Sequence, residues 1–268
     1  MTSTFHWDET FPLIRLNGAG ARDFLQGQST ADLRQTPQGD LVQSCWLTAT
    51  GRLRALLELR LDAEGADVLV LAGDADALAT GLDQVIFPAD RVRMGERRQQ
   101  RRLQALTPES PAVWVDSEAT LPAMFNGGSP LSTEALEQQR LQRGFPPGPG
   151  ELTGETNPFE LGLTGRISLD KGCYLGQETM AKLAGKGGVK QQLRCWRSAQ
   201  ALTRGDALSA GDSRAGVVTS VMALEGVGWI GLALIRRQHL NAGTLHGPDG
   251  QLLTLERPAL FQEPPSPL

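Results

Sequence analysis

Hydrophobic and polar residues alternate along several stretches of the first half of the chain, and this alternation predicts β-strands. In the clearest case, Leu53–Leu61, apolar residues at every second position alternate with Arg54, Glu58 and Arg60. A period of two is typical of a strand with one face buried and the other in solvent. We therefore predict a half-buried antiparallel strand here. Strands are also predicted over Phe11–Leu16, Leu41–Leu47 and Val68–Leu71.

Apolar positions spaced three and four residues apart predict helices between these strands. Asp74–Val85 places its apolar residues on one face. Thr133–Arg143 begins at a capping Ser132 or Thr133 and ends before Gly144. Shorter helices are predicted over Ala21–Gln26, ended by Gly27, and over Gln177–Ala184, ended by Gly185.

The pattern changes near residue 191, where short apolar runs alternate with glycine-containing turns. These runs are Ala215–Val221, Val227–Ile235 and Gln251–Leu255. They predict a small all-β module, which we expect to be a barrel. The proline-rich end, 263–268, is predicted to be a disordered tail.

The composition is that of an ordinary globular protein. The 268 residues are 40% hydrophobic and 21% charged, and the net charge of −4 gives no basis for nucleic-acid binding. No apolar stretch approaches the roughly 20 residues of a membrane span, and the N-terminus lacks the apolar segment of a secretion signal. We therefore expect a cytoplasmic protein that binds neither membranes nor nucleic acid directly.

Cysteine and histidine are the residues that could form a disulfide framework or a metal site in this chain. Cys45, Cys173 and Cys195 are widely spaced and form no Cys-x-x-Cys pair, and the histidines are scattered. Neither a disulfide framework nor a metal site is predicted.

Six arginines between Arg91 and Arg102 form the strongest basic cluster of the sequence. No aromatic residue lies among them, so a nucleic-acid stacking surface is not indicated. We predict a solvated strand–turn–strand face, with docking of an acidic partner as the alternative.

The stretch Lys171–Glu178 contains the residues of an accessible, reactive thiol. Cys173 lies two residues after Lys171, between glycines and just before a predicted helix. A lysine charge and the N–H groups of a helix start both favour the thiolate form. Glu178, in the first turn of that helix, is suited to hold Lys171 or a backbone donor. From these residues alone, a buried cysteine at an ordinary loop-to-helix junction remains the alternative.

The same stretch resembles the signature of the YgfZ-type proteins, which are relatives of the glycine-cleavage T-protein. That signature is Lys-Gly-Cys-Tyr-x-Gly-Gln-Glu, and it matches at Lys171, Gly172, Cys173, Tyr174, Gly176, Gln177 and Glu178. Three other segments resemble the family: Phe24–Asp32, Arg140–Pro146 and Asn157–Leu163. The resemblance covers most of the chain, from about Leu13 to Gly243.

The resemblance implies an α+β, T-protein-like fold with several lobes around a central cavity and a small C-terminal β-barrel. Residues 1–190 would form the folate-binding region, as two interleaved lobes, and residues 191–262 the barrel. Members of the family bind tetrahydrofolate and support the assembly or repair of iron–sulfur clusters, including those of tRNA-modifying enzymes. We therefore expect tetrahydrofolate as cofactor, iron–sulfur client enzymes as partners, and a monomer.

The resemblance also implies site residues. Cys173 is the expected redox or sulfur-handling residue, and Lys171 is expected to act beside it. Folate contacts are expected from Tyr174, Gln177, Glu178, Gln142 and Arg140. The glutamate tail of folate is expected to bind a lysine, with Lys171, Lys182 and Lys186 as candidates.

One position departs from the T-protein pattern. The T-protein has a glutamate where this chain has Gln142, and a neutral amide cannot pair with a charge. Aminomethyl transfer is therefore less expected than an accessory role without conventional turnover. Two alternatives stay open: a tetrahydrofolate-dependent aminomethyltransferase, and a thiol-redox protein that uses no folate.

Overall fold

The computed structural model describes residues 5–106, 110–116 and 120–265. The chain divides into two compact units that exchange segments. The first comprises the chain up to Leu47, then Arg54–Glu137 and Asp170–Leu175. The second comprises Thr48–Leu53, Gln138–Leu169 and the chain from Gly176 onward. The predicted boundary at residue 190 stays a prediction.

The first unit is built on a seven-stranded sheet. Its strands are β1 (Phe5–Asn17), β2 (Leu41–Leu47), β3 (Leu53–Leu61), β4 (Gly65–Gly73), β5 (Arg93–Ala105), β6 (Ala112–Val115) and β7 (Ser129–Pro130). The sheet order is β2-β3-β4-β1-β5-β6, and β7 pairs with β1 in parallel. The strands predicted over Leu41–Leu47 and Leu53–Leu61 are confirmed at both ends.

Two helices cover one face of this sheet, α1 (Ala21–Gln28) and α2 (Ala75–Asp83). Asp74 caps α2, since its Oδ1 accepts hydrogen bonds from two main-chain N–H groups of the first turn. Helix α1 continues through Gly27, so its predicted end at Gln26 is two residues early. The buried core between helices and sheet includes Leu16, Leu25, Leu57, Val68, Leu78 and Leu82.

The opposite face of the sheet corrects the prediction that β3 is half buried. Leu56 and Glu58 are also buried, with exposed fractions of 0% and 2%. Glu58 receives two hydrogen bonds from the Arg102 guanidinium, at 2.8 and 2.9 Å, and one from Trp114 Nε1 at 2.7 Å. Because its charge is paired, Glu58 tolerates burial, and the second face of the strand is buried at Leu56 and Glu58, while Arg54 stays exposed.

The arginine cluster also differs from its prediction. Its C-terminal part lies on the single long strand β5 instead of a strand–turn–strand face. Arg102 is 1% exposed and paired with Glu58, while Arg101 pairs with Asp8 at 2.6 Å. Carboxylates on β1 and β3 therefore neutralise part of the cluster, which the linear sequence does not show.

The other two helices are α3 (Thr133–Arg143) and α4 (Gln177–Lys182). The Ser132 Oγ accepts the Ala135 N–H at 3.2 Å, which confirms the predicted start of α3. Helix α4 runs into a π-helical turn, Leu183–Gly187, so Gly185 does not end it as predicted.

The second unit contains a closed six-stranded barrel. Its strands are β8 (Gln191–Ser198), β9 (Ala207–Ala210), β10 (Ser213–Leu224), β11 (Gly228–Arg236), β12 (Thr244–His246) and β13 (Leu252–Glu256). They close in the order β10-β11-β8-β13-β12-β9 around a core that includes Trp196, Leu208, Val218 and Leu253. The α+β class and the C-terminal barrel are thus confirmed.

The predicted tail lies partly within the described residues. Glu263 pairs with Arg257 at 3.1 Å and accepts a hydrogen bond from Gln192 at 3.3 Å, while residues 266–268 lie outside the described part. No helix in the described residues is long and apolar enough to cross a membrane.

Candidate functional site

The loop Asp170–Leu175 carries the first half of the signature and belongs to the first unit. Its Cys173 is exposed. Lys171 and Tyr174, on either side, are buried, with exposed fractions of 4% and 6%. The loop therefore presents the sulfur to solvent and inserts its flanking side chains into the protein. The alternative of a buried cysteine is wrong.

Main-chain oxygens hold the ammonium group of Lys171. Its Nζ donates hydrogen bonds to the carbonyl oxygens of Ser29 and Ala31, each at 2.7 Å. Both carbonyls follow α1, in one of the other segments that resemble the family. The structure thus joins two segments that the sequence shows only as separate motifs.

The aromatic ring of Tyr174 covers the same ammonium group. The Lys171 Nζ lies 5.0 Å from the ring centroid, a distance at which a cation–π attraction operates. Among the described residues the Tyr174 hydroxyl has no hydrogen-bond partner, and burial, together with nearby Cys45, raises its pKa to about 12. Because the ring is buried over the lysine, it offers no exposed platform to a ligand; its predicted folate contact stays a prediction.

Burial also changes the acidity of the lysine. It lowers the pKa of Lys171 to about 8, while the charge of Asp32 opposes this shift and that of Arg34 adds to it. A neutral amine keeps two N–H donors, enough for the two carbonyl acceptors. Both hydrogen bonds can therefore be kept in either form, and the suggestion that Lys171 binds a folate tail stays a prediction.

The second half of the signature opens α4. Gly176 precedes the helix in the left-handed region at φ 86°, and Gln177 is half-buried. Glu178 is exposed and pairs with Lys182 at 2.6 Å, one turn further on. The suggestion that Glu178 holds Lys171 is therefore wrong, since each residue has a different partner. Lys186, the remaining candidate for the folate tail, has no described side chain.

The other two cysteines are less accessible. Cys45 is fully buried, and Cys195 is half-buried with its Sγ donating to the Leu141 carbonyl oxygen at 3.1 Å. Burial raises the pKa of Cys195 to about 12, with a contribution from Glu256. Cys173 is therefore the most accessible of the three cysteines.

Arg140 belongs to a buried polar network in the second unit. Its guanidinium donates to Glu151 Oε2 and to Ser220 Oγ, both at 2.9 Å. Glu151 is fully buried and also accepts hydrogen bonds from Ser220 Oγ and Gly148 N, each at 2.8 Å. These contacts give Arg140 a structural role; its predicted contact with folate stays a prediction.

Gln142 lines a pocket of about 250 Å³ in the second unit, together with Cys195, Trp196 and Arg197. The pocket is too small for a whole folate and large enough for one ring system, because ligand pockets of drug size span about 300–1,000 Å³. A contact between Gln142 and a pterin stays a prediction.

The first unit has a larger cavity, of about 820 Å³. Its lining includes the carboxylates of Asp32 and Asp40 and the amides of Gln43 and Gln104. Its volume lies within the usual range for small-molecule sites, and its polar groups offer acceptors to a heterocycle with N–H groups. Among the described residues, no group of His, Cys, Asp and Glu side chains is arranged to hold a metal ion.

The sequence interpretation missed the residues that hold Lys171. Ser29 and Ala31 act through main-chain oxygens, so their side chains give no indication of the role. One feature of the sequence could have indicated these partners of Lys171. The segment Phe24–Asp32 resembles a family motif, although few of its side chains are suited to catalysis. Such a segment is a candidate for a structural partner of the reactive loop.

Comparisons with known proteins agree with this fold. No family model matches the chain. A chloroplastic protein of Arabidopsis thaliana, which carries the provisional name of a transferase, is 26% identical over 307 aligned residues, covering 96% of this chain and 71% of the relative. An uncharacterized protein of Haemophilus influenzae is 28% identical over 244 residues, covering 82% of this chain and 85% of the relative.

Among solved structures, the glycine cleavage system aminomethyltransferase T of Bartonella henselae superposes with a TM-score of 0.74. It is 16% identical, and the match covers 98% of this chain and 88% of that one. The chain therefore has the aminomethyltransferase T fold, which confirms the predicted T-protein-like architecture. At this identity the likeness establishes the fold and not the activity.

Proposed function

We propose that this protein binds a reduced folate and supports the assembly or repair of iron–sulfur clusters in client enzymes, with Cys173 as its sulfur-handling or redox residue. The observation that carries the proposal is the exposed Cys173 on a loop that Lys171 anchors from within, in a chain with the aminomethyltransferase T fold. We further propose that it acts as a cytoplasmic monomer.

The chemistry open to Cys173 is exchange at sulfur. Its thiolate attacks a sulfur atom of a partner's disulfide or persulfide and forms a new S–S bond, while the partner's other sulfur leaves as a thiolate. A second thiol then reverses the reaction and restores Cys173. No metal or external oxidant enters either step, and an exposed sulfur on an anchored loop is suited to both.

Folate fits the first unit by size and by polar groups. The cavity of about 820 Å³ can enclose a folate-sized ligand, and Asp32, Gln43 and Gln104 would hold the N–H and carbonyl groups of a pterin. Bound tetrahydrofolate supplies a reduced pterin that can carry one-carbon units. The side chains would bind and orient it.

An aminomethyltransferase is the second candidate function. The shared fold and the transferase name of the Arabidopsis relative favour it. Gln142, in place of the T-protein glutamate, and the thiol of Cys173 favour the accessory role. An assay of aminomethyl transfer from a lipoyl carrier to tetrahydrofolate separates the two, since the accessory protein is expected to show no turnover.

The main test measures cluster-dependent enzymes in cells that lack this protein. Wild type should restore their activity, and Cys173→Ser should not, because serine keeps the size and removes the thiolate. Cys195→Ser is the matched control and should rescue fully, since a hydroxyl can also donate to the Leu141 carbonyl. Full rescue by Cys173→Ser would remove the thiol from the proposal.

Folate binding is tested separately by quenching of intrinsic fluorescence, for which the chain has five tryptophans. Titration with tetrahydrofolate should give a saturable curve. A flat titration combined with loss of rescue in Cys173→Ser would instead support the folate-independent thiol-redox protein.

A further inference from the structure

The carbonyl groups that bind Lys171 are held in place by hydrogen bonds to strand β2. The Thr30 N–H donates to the Cys45 carbonyl at 3.1 Å, and the Cys45 N–H donates back to Thr30 Oγ1 at 2.8 Å. The Ala31 N–H donates to Ser44 Oγ at 2.9 Å. Thr30, Ser44 and Cys45 are all fully buried, so water does not compete for these bonds.

Because the peptide bond is planar, the hydrogen bond of Thr30 to β2 also determines the direction in which the Ser29 carbonyl points. In a trans peptide the C=O of one residue points opposite to the N–H of the next. Since the Thr30 N–H points at β2, the Ser29 carbonyl must point away from the strand, and it is there that Lys171 Nζ binds it. The reciprocal bonds of Thr30 therefore fix the orientation of one of the two acceptors.

We infer that Thr30 and Ser44 are positioning residues, which hold the two carbonyl acceptors of Lys171 and thereby the loop that presents Cys173. Thr30 acts through the Ser29 carbonyl and Ser44 through the Ala31 residue, and neither touches the sulfur. The inference rests on the proposed function only for the use made of Cys173. The geometry itself can be tested without any client enzyme.

The test compares Thr30→Val with Thr30→Ser in the full chain. Valine keeps the shape and removes the hydroxyl, whereas serine keeps the hydroxyl. The amines are labelled with acetic anhydride, and acetylation of Lys171 is measured by mass spectrometry against exposed Lys190 in the same molecule. Thr156→Val is the matched control, because Thr156 is another buried threonine whose hydroxyl bonds a main-chain group, in this case the Glu151 carbonyl oxygen, to which it donates at 2.7 Å.

In wild type, Lys171 should react slowly because it is buried and hydrogen-bonded. In Thr30→Val its labelling should rise about tenfold, the factor expected when a local opening equilibrium loses one buried hydrogen bond. Thr30→Ser and Thr156→Val should label as wild type. Unchanged labelling in a folded Thr30→Val protein would overturn the inference. If Thr30→Val does not fold, Ser44→Ala takes its place, and unchanged labelling there has the same consequence.

The functional arm uses rescue of cluster-dependent enzymes. Thr30→Ser should rescue and Thr30→Val should not, although both retain Cys173. Full rescue by a Thr30→Val protein whose Lys171 has become reactive would show that the anchor does not position Cys173. If wild type itself fails to rescue, the proposed function is wrong, while the labelling result still decides whether Thr30 holds the lysine.

Discussion

Replacement of Lys171 by methionine removes a buried ammonium group and nearly preserves the volume of the side chain. Two effects oppose each other near neutral pH. The variant leaves the Ser29 and Ala31 carbonyls without a donor, which costs about 1–3 kcal/mol for each. It also removes the cost of burying a charged ammonium group. This cost follows from the pKa of Lys171, which is about 8 in the folded protein and 10.5 for an ordinary lysine. At about 1.4 kcal/mol per pH unit this cost is about 3 kcal/mol. The two effects together give a net loss of stability of about −1 to +3 kcal/mol at neutral pH, so the pH dependence is the more informative quantity.

The sign of that dependence follows from proton binding. Between about pH 8 and pH 10.5 the unfolded chain keeps the lysine proton and the folded protein loses it. Since the unfolded state binds more protons, the free energy of unfolding rises with pH in this window. The wild type should therefore gain up to about 3 kcal/mol relative to Lys171→Met as the pH is raised through it. The Met variant has no titrating group at this position, so the difference isolates the lysine.

The assay is urea unfolding followed by tryptophan fluorescence at several pH values for both proteins. Lys182→Met is the matched control, because the Lys182 side chain is 72% exposed and its replacement removes no buried ammonium group. A difference between wild type and Lys171→Met that stays constant from about pH 7.5 to 10 would refute the buried ammonium. It would also remove the electrostatic basis for the anchoring of the Cys173 loop.

Three further predictions concern other positions of the site. Alkylation of the native protein with a maleimide should modify Cys173 alone, and mass spectrometry should find Cys45 and Cys195 labelled only after unfolding; early labelling of either would contradict their burial. Gly176→Ala should lower the free energy of unfolding by about 1–2 kcal/mol, because a left-handed φ of 86° disfavours any side chain; a change near zero in urea unfolding would mean that the loop adopts another conformation. Gln142→Glu should leave the affinity for tetrahydrofolate unchanged in the quenching titration, because Gln142 lines the pocket of the second unit and not the cavity of the first unit, and a several-fold change in affinity would place the folate at Gln142 instead.

The local parts of the fold were predictable from the sequence, because short-range patterns determine them. The alternation in Leu53–Leu61 and the turn before it gave both strands of that hairpin with the observed ends. The start of α3 at Ser132 and its end before Gly144 follow from the same kind of local chemistry. The error at Glu58 shows the limit of this approach. Its burial depends on Arg102, 44 positions away, and a pattern of period two cannot show a charge that is neutralised across the sheet.

In the candidate site too, the local features were predictable from the sequence and the long-range contacts were not. The residues around Lys171 predicted an accessible thiol, and the exposure of Cys173 agrees with that prediction. The partners of Lys171 could not be predicted, since its acceptors lie 142 and 140 positions earlier and are main-chain atoms. Every residue has a main-chain carbonyl oxygen, so the type of side chain does not indicate which residue uses this oxygen to bind a partner.

The placement of Lys171 also bears on how the signature works. A lysine that assists a thiol directly would keep its ammonium in the solvent-exposed site, where an opposite charge develops on sulfur. Here the ammonium is turned inward, onto two carbonyls and the ring of Tyr174, at a cost of about 3 kcal/mol in desolvation. That cost is offset only if the carbonyls are already oriented when the lysine arrives, as the bonds of Thr30 to β2 provide. In the proposed function, lysine and cysteine therefore act in different ways: Lys171 fixes the main chain of the loop, and Cys173 presents an exposed sulfur for chemistry.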